Sequence, residues 1–212
     1  MWPTILKMSV NDVGVYGNPR LHSQDRTCRR CPTCGVETLA HVLGFCDYGH
    51  QYILSRHNDV NRILFDILKL NGKYIVHLET PCTPEAKRVD LLVYTKDKKQ
   101  GWILDPTIRM ENTKEQPLEV HDQKVNHYTS CIDHYKEEFG VENIEIIGLM
   151  IGARGTITKQ FLEFCKQFEI PSKTIEDIIL KVVEWSVIIL NHHLSEYNMP
   201  ANRRSRKVVS NN

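Results

Sequence analysis

The chain has 212 residues, 27 Lys+Arg against 26 Asp+Glu, and a formal charge of +1. That length suits one ordinary domain plus a small module, and 41% hydrophobic residues are enough for a core, which excludes wholesale disorder. No apolar run approaches the ~20 residues of a membrane span, Met1–Val10 lacks the pattern of a secretory signal, and the charge balance excludes a uniformly basic, histone-like protein while leaving local basic patches open.

Residues 1–25 show no clear period, and Gly14, Gly17, Asn18 and Pro19 mark turns, so this stretch reads as a linker or a remnant. Residues 26–50 form a cysteine–histidine module. Four of the seven cysteines, Cys28, Cys31, Cys34 and Cys46, fall within 19 residues together with His41. Without a secretion signal, such a cluster reads as a tetrahedral Zn²⁺ site rather than as disulfides. Five candidates compete for four places, and spacing leaves the choice between Cys28 and Cys34 open. So small a module would fold on the metal. The arginines beside it, Arg26, Arg29 and Arg30, suggest a grip on phosphates. Cys82, Cys131 and Cys165 are scattered and read as small core residues.

From residue 51 the pattern becomes that of a larger domain. Val60, Ile63, Leu64, Ile67 and Leu68 recur at helical spacing up to Asn71-Gly72. A weak strand follows over Tyr74–Thr80. Val89–Tyr94 and Trp102–Ile108 are dense apolar runs around the polar turn Lys96–Gly101, which predicts a hairpin. Pro106 suggests a bulge or strand end just after Asp105. Val125, Tyr128, Ile132, Tyr135 and Phe139 line one face of a long helix. Ile144–Ile151 reads as a buried strand, and helices are expected over about Thr158–Phe168 and Ser172–Leu194. Residues 198–212 read as a disordered basic tail containing Arg203, Arg204, Arg206 and Lys207. The order α-β-β-β-α-β-α-α predicts a mixed α/β layer fold.

Asp90 and Asp105 each lie in an apolar strand. A hairpin register whose residue numbers sum to 195 sets them side by side and places Tyr94 opposite Gly101. Two buried carboxylates repel; a hard divalent cation such as Mg²⁺, bound through one or two carboxylates plus water and phosphate oxygens, offsets that cost. Such a centre suits phosphodiester cleavage. Lys124, expected at the start of the following helix with Tyr128 one turn on, can reach the same place. Gly152-Ala153-Arg154-Gly155 reads first as a plain strand-to-helix turn and second as a phosphate-binding loop.

The ordered run CRRC…ETLAHVLGFC, SRHNDV, RVDLLVY, WILDPTIR, KVNHY and IGLMIGARGTI resembles the C-terminal part of site-specific non-LTR retrotransposon polyproteins, over about residues 26–195. The resemblance implies a CCHC zinc knuckle at 26–50 and a restriction-endonuclease-like PD-(D/E)xK domain at 51–197, a mixed sheet with flanking helices. It implies structural Zn²⁺ on Cys28, Cys31, His41 and Cys46, with Cys34 extra. It also implies catalytic Mg²⁺ on Asp90 and Asp105, Lys124 as the catalytic lysine with Tyr128 as its companion, and Arg56 and His57 as a basic pair near DNA phosphate. Val89 stands where the family carries proline, and no reverse-transcriptase signature is present. The expected function is nicking of target DNA in the nucleus, with DNA and then the element's RNA as partners and no membrane. The competing expectation is an inactive nucleic-acid-binding remnant or domesticated module. A zinc-dependent protein-interaction domain comes third, because it leaves the two aspartates unexplained.

Overall fold

The structure, a computed structural model, describes residues 1–31 and 35–195. These form two compact units, one of Met1–Ile53 with the residues from Trp185 onward, the other of Leu54–Glu184. The helices are α1 (Trp2–Ser9), α2 (Leu39–Gly44), α3 (His50–Leu70), α4 (Gln116–Tyr128), α5 (Ile132–Phe139), α6 (Lys159–Gln167) and α7 (Ser172–Leu194). The strands are β1 (Tyr74–Cys82), β2 (Lys87–Thr95), β3 (Gln100–Arg109) and β4 (Asn143–Gly152). Both α3 and α7 supply residues to both units.

The larger unit is a four-stranded mixed sheet in the order β1-β2-β3-β4 with flanking helices. Strand β2 pairs antiparallel with β1 and β3. The β2–β3 register runs from Leu91↔Leu104 to Tyr94↔Gly101, the one the sequence predicts. The turn between them is closed by the Lys98 amide donating to the Thr95 carbonyl, 2.9 Å, with Lys98 at φ 60°. Strand β4 runs parallel to β3 from Gln100↔Asn143 to Arg109↔Gly152. A parallel neighbour needs a long crossover, and α4 and α5 provide it.

The period of two puts Leu92 and Tyr94 with Asp90 on one face of β2, and Ile103 with Asp105 on the same face of β3. On this face Leu92, Tyr94, Ile103 and Ile146 pack with Tyr128, Cys131 and Tyr135 of the crossover. The sheet's carboxylates and the crossover helices therefore meet in one layer. Cys82, Cys131 and Cys165 are all buried.

Several expectations change. Residues 1–25 are not a plain linker: α1 occupies Trp2–Ser9, and Met8, Val13 and Val15 are buried. Strand β3 does not end after Asp105. It stays on β4 through Arg109 while its ladder with β2 stops at Leu104, so the missing N–H of Pro106 removes no rung between β2 and β3. The long helix is broken by a 3₁₀ turn at Thr129–Cys131, where the Thr129 hydroxyl donates to the Val125 carbonyl, 2.6 Å, a competition with the helix ladder typical of threonine. Lys124 consequently lies in the third turn of α4, not at a helix start. The basic tail from residue 198 lies outside the described residues.

Candidate metal centre and carboxylate site

In the smaller unit the backbone folds back through a Thr27↔Val36 bridge, and the Cys28 amide donates to the Gly35 carbonyl. Thr38 caps α2, its hydroxyl accepting from the His41 amide at 3.0 Å, which fixes His41 in the first turn. Cys46 follows the end of that helix. The result is a buried Cys₃His group: the donor atoms of Cys28, Cys31, His41 and Cys46 all lie within 4.8 Å of one another. The Cys28 and Cys46 sulfurs are 3.9 Å apart, those of Cys31 and Cys46 3.7 Å, and Cys31 Sγ is 3.1 Å from His41 Nε2. Zinc with Zn–S near 2.3 Å has tetrahedral S···S edges of about 3.8 Å, so the donor set could hold such an ion. Cys34 lies outside the described residues.

The amides of Arg30 and Cys31 both point at Cys28 Sγ, each 3.5 Å away. Contact with Cys46 lowers the Cys28 pKa most; burial opposes the thiolate, and His193 and the two amides favour it. Two further residues complete the surroundings. Glu37, fully buried, binds the Arg29 guanidinium through both carboxylate oxygens and accepts from the Arg29 and Tyr16 amides at 2.7 and 2.8 Å. His193, near the end of α7, has Nε2 3.1 Å from Glu37 Oε2 and Nδ1 3.6 Å from Cys46 Sγ. Burial penalises Glu37's charge, but His193 and Arg29 outweigh it and hold Glu37 at about 2.

Two of the residues expected at phosphate turn inwards in this unit, and a third does so in the other. The Arg29 guanidinium is 8% exposed, lies over the Tyr16 ring and donates to the Gly14 carbonyl as well as to Glu37. Arg30 caps the end of α7 by donating to the His193 carbonyl, 2.9 Å, and to the Ser195 carbonyl. Arg56, in the larger unit, is fully buried on α3. A local run of arginines is therefore a poor guide here, because the buried carboxylate of Glu37 and the orphan carbonyls of a helix end claim two of them.

In the larger unit, Asp105 is 3% exposed and well partnered. Lys124 Nζ is 2.9 Å from Oδ2, the Tyr128 hydroxyl donates to the same oxygen at 2.9 Å, and the Thr107 hydroxyl donates to Oδ1 at 3.2 Å. Lys124 and Tyr128 reach it together because residues four apart share a helix face. Burial, then the Asp105 charge, pushes the Tyr128 hydroxyl far above the ordinary phenol range. Asp90 lies where neither neighbouring ladder has a rung: β2–β3 stops at Leu91, and β1–β2 skips from Leu78↔Leu91 to Thr80↔Val89. The skipped residue, Glu79, has φ 51°, a left-handed conformation that costs a non-glycine residue energy. Asp90 Oδ2 meets His57 Nε2 at 3.1 Å. Burial alone would lower the His57 pKa, but Asp90 outweighs it and the net direction is up. The structure thus brings Asp90, Asp105, Lys124, Tyr128 and His57 to one face of the sheet. Among the described residues, no group of three or more ligating side chains includes the two aspartates, so a cation there would rely on the two carboxylates plus water.

After β4, the amides of Gly152, Ala153 and Gly155 donate to the carbonyls of Thr156, Arg109 and Gly152, and Arg154 pairs with Glu111 at 3.0 Å. Three of the loop's four amides are thus engaged within the chain, as in a plain turn.

Glu37 and His193 were not visible as site residues in the sequence. Glu37 looks like an ordinary surface acid beside the cysteines, and His193 is 147 positions from Cys46, beyond any local spacing rule. Gly148, opposite Asp105 in the β3–β4 ladder, was equally silent, because its role is the side chain it lacks. No family model matches the chain, and none of the curated proteins searched matches it either.

Proposed function

We propose that Leu54–Glu184 is a metal-dependent DNA endonuclease module that nicks DNA by phosphodiester hydrolysis, with the Cys₃His centre as a structural zinc site. The observation that supports it best is the convergence on Asp105 of Lys124 and Tyr128, on the same sheet face as Asp90, which stands where the β2–β3 ladder ends. Burying the Asp105 carboxylate against Lys124, between the sheet and α4, costs desolvation energy that an apolar pair would avoid, so its presence asks for a use. The donor chemistry fits Mg²⁺, which takes one or two carboxylates and completes its shell with water and phosphate oxygens. When bound there, the ion supplies charge neutralisation and an activated water.

The chain's own residues then divide the remaining work. Asp90 and Asp105 hold the cation. Tyr128 and Thr107 fix the Asp105 carboxylate in one orientation, and His57 does the same for Asp90. Lys124 places a positive charge beside the scissile phosphate, where negative charge grows in the transition state; donors of this type contribute about 3 kcal/mol. The retrotransposon origin, the nuclear location and an RNA partner rest on the sequence resemblance alone and belong to the same proposal.

A second reading has its own observation. Both oxygens of Asp105 already accept hydrogen bonds from side chains, as they would in a binding module that has kept the fold as a purely structural network. A supercoiled-plasmid assay separates the two. The nuclease reading expects Mg²⁺-dependent conversion to open circles that chelator and Asp105→Ala both abolish; plasmid binding with no conversion at any Mg²⁺ concentration favours the binding module.

A further inference from the structure

The Cys₃His centre is not confined to the knuckle. His193 comes from the last turn of α7, is 1% exposed, and has an acceptor facing each ring nitrogen. Nδ1 is 3.6 Å from Cys46 Sγ, and Nε2 is 3.1 Å from Glu37 Oε2 and 3.9 Å from Cys28 Sγ. Cys28, Glu37 and His193 form a second close group that shares Cys28 with the first. Three thiolates around a divalent ion leave net negative charge in a buried place, and donors to sulfur offset it. Two such donors are the local amides of Arg30 and Cys31. The imidazole of His193, facing Cys46 Sγ through Nδ1 and Cys28 Sγ through Nε2, is placed to add a donor from the far end of the sequence.

The same helix end is keyed to the knuckle at other points. Arg30 holds the carbonyls of His193 and Ser195. The His192 ring stacks on Tyr48 with centroids 4.5 Å apart at 8° and meets Tyr52 edge-on at 4.6 Å. Tyr48 in turn packs against the three cysteines. Each contact needs Arg30 and Tyr48 held in one place beside the cysteines, and four metal bonds would hold them there.

We propose that His193 is a positioning residue of the metal centre, held in turn by Glu37, and that metal occupancy locks residues 186–194 onto the knuckle. The proposal rests on the zinc reading. It adds that the site is composite, closed by a residue outside the cysteine motif.

The test uses the full chain. Wild type should contain one zinc per chain. In chelator competition, His193→Ala should bind zinc roughly 10–100-fold more weakly, as loss of an outer-shell partner does, and His193→Gln, which keeps a donor, should recover part of the loss. With Co²⁺ in place of zinc, His193→Ala should retain tetrahedral d–d bands while the thiolate charge-transfer band moves to lower energy, because a hydrogen bond to sulfur is gone. A role in packing alone would not move that band. Should His193→Ala fail to fold, hydrogen exchange on wild type decides: stripping zinc should accelerate exchange over 186–194 and leave the β2–β3 amides unchanged. Unchanged affinity and band position in His193→Ala, or exchange over 186–194 indifferent to zinc, overturns the proposal alone. A wild-type chain that takes up no zinc overturns the metal reading as well.

Discussion

Lys124 reaches Asp105 because Gly148 has no side chain. The two strands place Gly148 directly beside Asp105, and a Cβ built on Gly148 would stand 2.9 Å from Lys124 Cγ and 2.9 Å from the His121 Cα. The second of these is backbone and cannot rotate away. Helix α4 is therefore seated on β4 at a distance only glycine allows. Gly148→Ala should push α4 outward, cost about 1–3 kcal/mol as overpacking does, and lengthen the Lys124–Asp105 pair. Urea unfolding should show the loss, and any Mg²⁺-dependent nicking should fall further than stability alone explains. Wild-type stability in Gly148→Ala would mean the helix tolerates the methyl group and the seating argument is wrong.

Arg29 separates structural from DNA-binding arginines. Its partner Glu37 is fully buried, so Arg29→Ala leaves that carboxylate with only His193 and two backbone amides and should cost about 3 kcal/mol, the low end for a broken buried pair. Duplex affinity, measured on protein that remains folded, should keep its salt dependence, because a residue that touches no phosphate releases no counterions. A shallower slope of log affinity against log salt in Arg29→Ala would return Arg29 to the DNA surface.

His57 gives a pH dependence with a definite sign. Its folded pKa is raised above the ordinary 6.5, burial opposing and Asp90 prevailing. A raised folded value means the His57–Asp90 contact contributes fully below about pH 6.5 and is lost as pH rises through the folded value. The stability gap between wild type and His57→Gln should therefore narrow from pH 6.5 upward. Denaturant midpoints taken across that window measure it, and a gap that stays constant, or widens, contradicts the assignment.

The zinc reading predicts an uneven response to metal loss. Chelation, or Cys46→Ser, should unfold the knuckle of the smaller unit, where Cys28, Cys31 and Cys46 pack together with Tyr48 on them. The sheet core of Cys82, Val89, Leu92, Ile103 and Tyr135 needs no metal and should survive. Residue-resolved hydrogen exchange distinguishes this from a single concerted loss of both units.

Much of the larger unit was legible because its signals are local. Alternation and apolar density located β2 and β3, the Lys96–Lys99 turn fixed their register, and Gly140, at φ 66°, ended α5 where expected. What escaped depends on partners far along the chain. Arg29 and Arg30 form a basic run in sequence, yet one serves Glu37 and the other caps α7. Helix α1 escaped because it spans only Trp2–Ser9 and buries only Met8, too short a run for a helical period to stand out. The 3₁₀ break at Thr129 escaped because Tyr128, Ile132 and Tyr135 keep helical spacing across it.

The most direct test of the account compares wild type, Asp90→Asn, Asp105→Asn and Lys124→Ala for nicking and for duplex binding in the same Mg²⁺ buffer. Wild type should nick; all three variants should lose nicking. The two asparagine variants should bind duplex at least as tightly as wild type, since negative charge beside phosphate is removed, and Lys124→Ala should lose little binding. Nicking that persists at the wild-type rate in Asp105→Asn or Lys124→Ala, or a wild-type chain that binds duplex and never cuts it, would contradict the nuclease account.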